Sequence, residues 1–134
     1  VKAVFDTDIL IAAFLTEGIC AKLMIRARKR EFDLILCDGI LDEFKRVLKK
    51  KFATSPHETS EALIVLSEAA LEIHGPIELI TPICRDSDDD LILACAMDAI
   101  ADYVVTGDED LLVLKNYEGI SIVAPREFEK LFPD

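Results

Sequence analysis

The sequence predicts a three-layer α/β/α domain built on a largely parallel five-stranded sheet, and three observations predict it. Short β-rich runs alternate with segments whose apolar residues recur at helical spacing. No tight two-residue hairpin signal separates the strands, so the connections must be helical crossovers and the strands parallel. The 134 residues are 51% hydrophobic, and no linker, repeat or low-complexity stretch divides 1–134, so one domain with one core is expected.

The first element is a short buried strand over residues 2–6. A helix follows from Thr7 or Asp8, with Ile9, Leu10, Ala13 and Phe14 on one face. Gly18 marks a break, and a second amphipathic piece runs to about Arg30. Residues 32–37 form the second strand. Asp38 offers an N-cap to a helix with an apolar stripe at Ile40, Leu41, Phe44, Val47 and Leu48, ending in Lys49-Lys50-Lys51, where cations suit the dipole. Ser55-Pro56-His57-Glu58 is a capping box with proline in the first turn, and its helix is expected to reach Ile73 before Gly75-Pro76. A weak third strand is expected over 78–83. The run Asp86-Ser87-Asp88-Asp89-Asp90 then precedes a nearly all-apolar, hence buried, helix over 91–100. Strands at 103–106 and 120–123 flank a short helical stretch at 111–114, and Pro125 opens the last helix.

Composition narrows the function classes. No apolar run is long enough to cross a bilayer, and Asp6 and Asp8 interrupt any signal-peptide core, so a cytoplasmic protein without membrane association is expected. Cys20, Cys37, Cys84 and Cys95 lack Cys-x-x-Cys spacing and read as free thiols in a reducing compartment. His57 and His74 have no partner at ligand spacing and read as surface or cap residues. The net charge of −11 is opposite to the usual nucleic-acid footprint, but it is unevenly spread. Residues 22–51 carry ten of the fifteen bases and five of the twenty-six acids, a local charge of +5 against −16 elsewhere. Lys45, Arg46, Lys49, Lys50 and Lys51 could guide a polyanion to that side, although solvated helix faces look the same.

Acidic residues carry the strongest signal. In open parallel sheets, sites form beyond the carboxyl ends of the strands. Asp6 ends the first strand; Glu43 sits in the second turn of the helix after strand two; Asp90 starts the helix after strand three; Asp108 follows strand four by one residue. Each has a bland explanation alone, as a flank residue, helix-terminus anion or turn former. Asp88 and Asp89 are assigned to the helix terminus, and Asp90 is favoured because it abuts the apolar helix with small Ala94 one turn on. Carboxylates gathered at one rim need a counter-charge, and an all-oxygen set suits Mg²⁺ or Mn²⁺. Such an ion can activate water and stabilise charge on a phosphoryl oxygen, so phosphodiester hydrolysis leads.

Phe5-Asp6-Thr7-Asp8-Ile9-Leu10, Leu41-Asp42-Glu43-Phe44, Asp86-Ser87-Asp88-Asp89-Asp90 with Leu93-Ala94, and Thr106-Gly107-Asp108-Glu109-Asp110-Leu111 together resemble the ordered motifs of PIN-domain nucleases. The resemblance spans essentially the whole chain and is closest to the prokaryotic branch of toxin components of toxin–antitoxin systems. It implies a five-stranded parallel sheet, a Mg²⁺- or Mn²⁺-dependent endoribonuclease, an RNA substrate, an antitoxin partner and a homodimer. By motif, Asp6, Glu43, Asp90 and Asp108 take the acidic quartet as catalytic and metal-holding residues. Thr7 and Thr106 match supporting hydroxyl positions, and Asp110 a secondary acidic one. Asp8 stands where many members carry asparagine, which leaves its role open between ligand and outer-shell group; Asp38 stands where many carry serine.

Three alternatives belong to other classes. Asp6-Thr7-Asp8 also resembles the nucleophile and acid pair of haloacid-dehalogenase-like phosphohydrolases. Leu10 replaces the expected Thr or Val, and no lysine lies between Lys51 and Lys115, so only the early basic helix could supply the required cation. A phosphorylation-receiver domain lacks its lysine after Ile122-Val123. A PIN-like fold retained as a non-catalytic partner-binding module is the third reading, opposed by an intact quartet.

Overall fold

The computed structural model describes residues 1–75 and 87–133. The chain runs β1 (Lys2–Phe5), α1 (Thr7–Leu15), α2 (Ile19–Arg28), β2 (Asp33–Cys37), α3 (Asp38–Phe52), α4 (Pro56–Ala69), β3 (Ala70–His74), α5 (Ser87–Ala99), β4 (Tyr103–Val105), α6 (Glu109–Leu112), β5 (Asn116–Tyr117), β6 (Ile120–Val123) and α7 (Pro125–Glu129). The sheet order is β3-β2-β1-β4-β6-β5. β1 pairs in parallel with β2 and β4, and β3 and β6 extend the parallel set outward.

β1 is central, and Ala3, Val4 and Phe5 are fully buried. That explains why its sequence reads as a continuous apolar run instead of an alternating one. Phe5 and Phe32 stack with ring centroids 5.5 Å apart, and Phe128 of α7 meets both edge-on, at 6.0 and 5.0 Å. Arg26 of α2 holds the same corner: its guanidinium donates to Glu129 and Glu31 and lies 5.3 Å from the Phe132 ring centre. On the sheet, α5 packs across β1, β2, β3 and β4.

Three expectations change, and a fourth falls outside the described residues. The helix opened by Ser55 has its capping box but stops at Ala69, and Ala70–His74 leaves it to pair with β2 as the sheet edge. Leu66, Ala69 and Ile73 share helical spacing, which conceals the switch; the alternation in β3 leaves Leu71 and Ile73 47% and 43% exposed. The strand expected over 78–83 lies outside the described residues. α3 begins one residue early, with Cys37 at the N-cap position and no side-chain cap, so Asp38 is the first helical residue and not the cap. The sheet has a sixth strand: β5 pairs antiparallel with β6 around Glu118 and Gly119, whose φ angles are +50° and +83°. Two successive positive φ angles make the tight hairpin turn. A glutamate in the position usually held by Asn or Asp hides that turn in the sequence.

Candidate active site

The chain builds β1, β2 and β3 outward on one side, then crosses to place β4 on the other side of β1. The sheet therefore has its topological switch point between β1 and β4, where a crevice opens at the carboxyl ends. Asp6 and Thr106 are the residues immediately beyond those two strands. Backbone pairing carries them into place: Asp6 N–H donates to Val105 O and Thr106 N–H to Val123 O, each at 3.0 Å.

Asp6 is also the N-cap of α1, its Oδ1 accepting from Thr7 N–H at 2.7 Å. Its Oδ2 accepts from the buried Thr106 hydroxyl at 2.7 Å, and that hydroxyl accepts from Asp108 N–H at 3.0 Å. One threonine thus fixes two carboxylate residues. Asp108 caps α6, accepting from Asp110 N–H at 2.8 Å.

These groups face a cavity of about 550 Å³, whose acidic wall is Asp6, Asp8, Glu43, Asp89 and Asp108. Glu43, in the second turn of α3, is half-buried and reaches the cavity, as its place beside the apolar stripe predicts. Gly39 lets α3 and α5 approach, since a Cβ there would lie 2.5 Å from Leu91 Cδ2. Asp89, Asp108 and Asp110 offer oxygens within 4.8 Å of one another, a spacing that one cation can bridge.

Asp89 is the residue that sequence reasoning passed over. It lines the cavity, whereas Asp90, itself buried, is not among the lining residues. The cause is register. The acidic run lies inside α5, which starts at Ser87 and not Leu91, so adjacent side chains diverge by about 100° around the axis. Asp89 shares a face with Ile92, Leu93 and Ala96, each at most 1% exposed, while Asp90, also buried, lies about 100° round on the side of Leu93, Ala94 and Met97. The residues that follow are apolar on both faces, and the sequence offers no contrast among them that sets the register. Asp110 belongs to the carboxylate group without lining the cavity. Of the basic residues of α3, Lys51 reaches the cavity wall; Lys45, Arg46, Lys49 and Lys50 are exposed and do not line it.

The electrostatics ask for a cation. Burial, then the neighbouring Asp8 carboxylate, push the Asp6 carboxyl up to about 7, against the hydrogen bonds from Thr106 and Thr7. Asp8 is exposed as a residue, yet its carboxylate lies against the Gly107 backbone, where loss of solvation and Asp108 raise its pKa. Thr7 is 3% exposed, and its Oγ1 has no hydrogen-bond partner among the described residues although it stands at the cavity. An all-oxygen donor set with an unused hydroxyl beside it fits a hard divalent ion and its waters. The histidines lie elsewhere: His57 pairs with Glu61 on the surface, and His74 bridges Glu72 and Asp98 at 2.9 and 2.5 Å. Cys37 and Cys95 are buried free thiols, and Cys20 is half-buried and free.

Comparison with known proteins agrees with this architecture. The crystal structure of VapBC2 from Rickettsia felis bound to a DNA fragment from their promoter contains a chain with the same fold. It superposes with a TM-score of 0.64 at 13% identity, covering 92% of this chain and 98% of that one. A comparison with curated protein sequences gave no match. A family model described as PIN domain matches residues 2–110. With that match over most of its length, the chain belongs to the PIN-domain family.

Proposed function

We propose that this PIN-domain protein is a divalent-metal-dependent endoribonuclease and the toxin component of a toxin–antitoxin pair. The observation that carries the reading is the convergence of Asp6, Glu43, Asp89 and Asp108 on one cavity at the switch point of the sheet. In this reading Asp89 takes the role that the motif order gives to Asp90, with Asp110 beside it. Mg²⁺ or Mn²⁺ held by these carboxylates supplies an activated water and a counter-charge for the scissile phosphate.

The chain's own groups prepare that chemistry. The Thr106 hydroxyl holds Asp6 and the Asp108 backbone in one arrangement, so little reorganisation is needed when substrate arrives. Asp8, against the Gly107 turn, adds negative charge to the cavity wall and acts as an outer-shell group. Lys51, further along α3 in the same cavity, offers a cation to a flanking phosphate, with Lys45, Arg46, Lys49 and Lys50 continuing the approach.

The test is cleavage of a labelled single-stranded RNA with Mn²⁺, Mg²⁺ or a chelator present. Wild type is expected to cut internally with metal alone, and Asp6→Asn or Asp108→Asn to lose at least about 100-fold in rate. Full-rate cleavage by either variant removes the site assignment. Lys51 lines the same cavity as Asp6 and could serve as the cation that a phosphohydrolase would need, so a small phosphomonoester is included. Phosphate release through a covalent Asp6 intermediate would favour that alternative. The antitoxin partner and homodimer are proposed from the toxin branch and the solved neighbour; co-expression with the product of the adjacent gene, followed by size-exclusion chromatography, tests both.

A further inference from the structure

The cavity has two chemically different ends. Along α1 and α3 away from the carboxylates, the lining continues one turn on with Ile11 and Val47 and ends at the last residues of the two helices, Leu15 of α1 and Lys51 and Phe52 of α3. Leu15 and Phe52 are 47% and 46% exposed, although both are large and apolar. Phe52 is the last residue of α3, and the chain turns away at once because Ala53 takes a left-handed φ of +49°. The ring stands apart from the hydrophobic core and has no ring partner among the described residues, in contrast to Phe5, Phe14, Phe32, Phe44, Phe128 and Phe132.

An occupant that satisfies both ends must be anionic toward the metal-holding carboxylates and flat and apolar toward the aromatic ring. Lys51, beside that ring, adds a point of contact for a second negative charge. A nucleotide has this layout, with phosphates along one edge and a base on the other. Base–aromatic stacking next to a cation is also a common way to hold an unpaired base.

We propose that Phe52, flanked by Leu15, is the shelf on which a base adjoining the scissile phosphate stacks, with Lys51 holding the next phosphate. The proposal rests on the nuclease reading above and adds a positioning residue to it. Phe52 touches the base and not the reacting atoms, so its loss should weaken substrate binding more than the chemical step.

The chain contains no tryptophan, so Phe52→Trp installs a single reporter at the shelf. Its emission is followed on mixing with a phosphorothioate oligoribonucleotide and with an abasic strand of the same length and charge. Quenching by the first strand and not the second is expected. Steady-state cleavage should show Phe52→Ala raising KM on the order of tenfold for base-bearing RNA with kcat changed much less, and Phe52→Trp restoring it. Equal binding of the two strands, or cleavage by Phe52→Ala at unchanged KM, overturns the shelf while leaving the nuclease reading intact, and would leave Phe52 to a protein contact. No binding and no cleavage by wild type overturns both.

Discussion

Asp6 carries the site's main tension at the residue scale. An N-cap aspartate accepting two hydrogen bonds should ionise readily, yet burial and Asp8 raise it from 3.8 to about 7. Across that interval the folded chain keeps a proton that the unfolded chain has released, so metal-free stability falls as pH rises through it. A divalent ion held there would reverse the penalty. The Thr106 hydroxyl is the chief group resisting the shift. Thr106→Val should therefore cost about 1–3 kcal/mol, because it also leaves Asp108 N–H without its acceptor. It should also move the acid limb of the cleavage profile to higher pH. Urea denaturation and a pH–rate series check the two effects, and a variant unchanged in both would remove Thr106 from the site. Asp6 and Asp108 could be read from the sequence because strand ends are marked by an apolar run meeting a charge. Glu43 could be read because it flanks an apolar stripe. Asp89 could not, since neither Asp-Asp-Asp nor the apolar residues after it distinguish one helical register from another.

Elements differ in how clearly they announce themselves. Helix α4 is written into Ser55-Pro56-His57-Glu58, and both halves of the capping box form, with Ser55 N–H donating to Glu58 at 2.9 Å. The end of α4 is not written, because the residues that become β3 continue the helix's spacing until the edge of the sheet claims them. His74 is what the sequence understates here. It joins the last residue of β3 to Asp98 of α5, the helix that delivers Asp89. Hydrogen bonds to Glu72 and then Asp98 raise its pKa above 6.5. The stability it contributes should be complete below pH 6.5 and fade as pH rises through the elevated folded value. Both carboxylates are partly solvated, so the effect is small. Denaturation midpoints measured at several pH values should decline across that window in wild type and more weakly in His74→Asn; parallel profiles would show that the bridge does not hold α5.

For the whole molecule, net charge is a poor guide and its distribution a better one. A chain of charge −11 is repelled by nucleic acid at long range, while residues 22–51 carry +5. Only Lys51 of the C-terminal lysines in α3 reaches the cavity, so in the proposed nuclease Lys49 and Lys50 would act on approach and not at the reacting phosphate. Reversing Lys49 and Lys50 to glutamate should weaken RNA binding with little change in kcat. The slope of log affinity against log salt should also become shallower by about one for each phosphate no longer neutralised. Fluorescence anisotropy over a salt series reads this directly; unchanged slope and affinity would place the RNA path elsewhere. The alternation of strands and helices made the parallel sheet legible as a whole, because crossover connections leave long periodic segments. The β5–β6 hairpin was not legible, because its turn depends on two backbone angles and on no diagnostic residue pair.

Everything proposed for this cavity requires its carboxylates to act together as a divalent-ion site. Titration of the metal-free protein with Mn²⁺, with free ion followed by electron paramagnetic resonance, tests that most directly. Wild type and Asp90→Asn should bind Mn²⁺ alike, while Asp6→Asn and Asp89→Asn lose at least about tenfold in affinity. Equal binding by all four proteins, or a loss confined to Asp90→Asn, would contradict it.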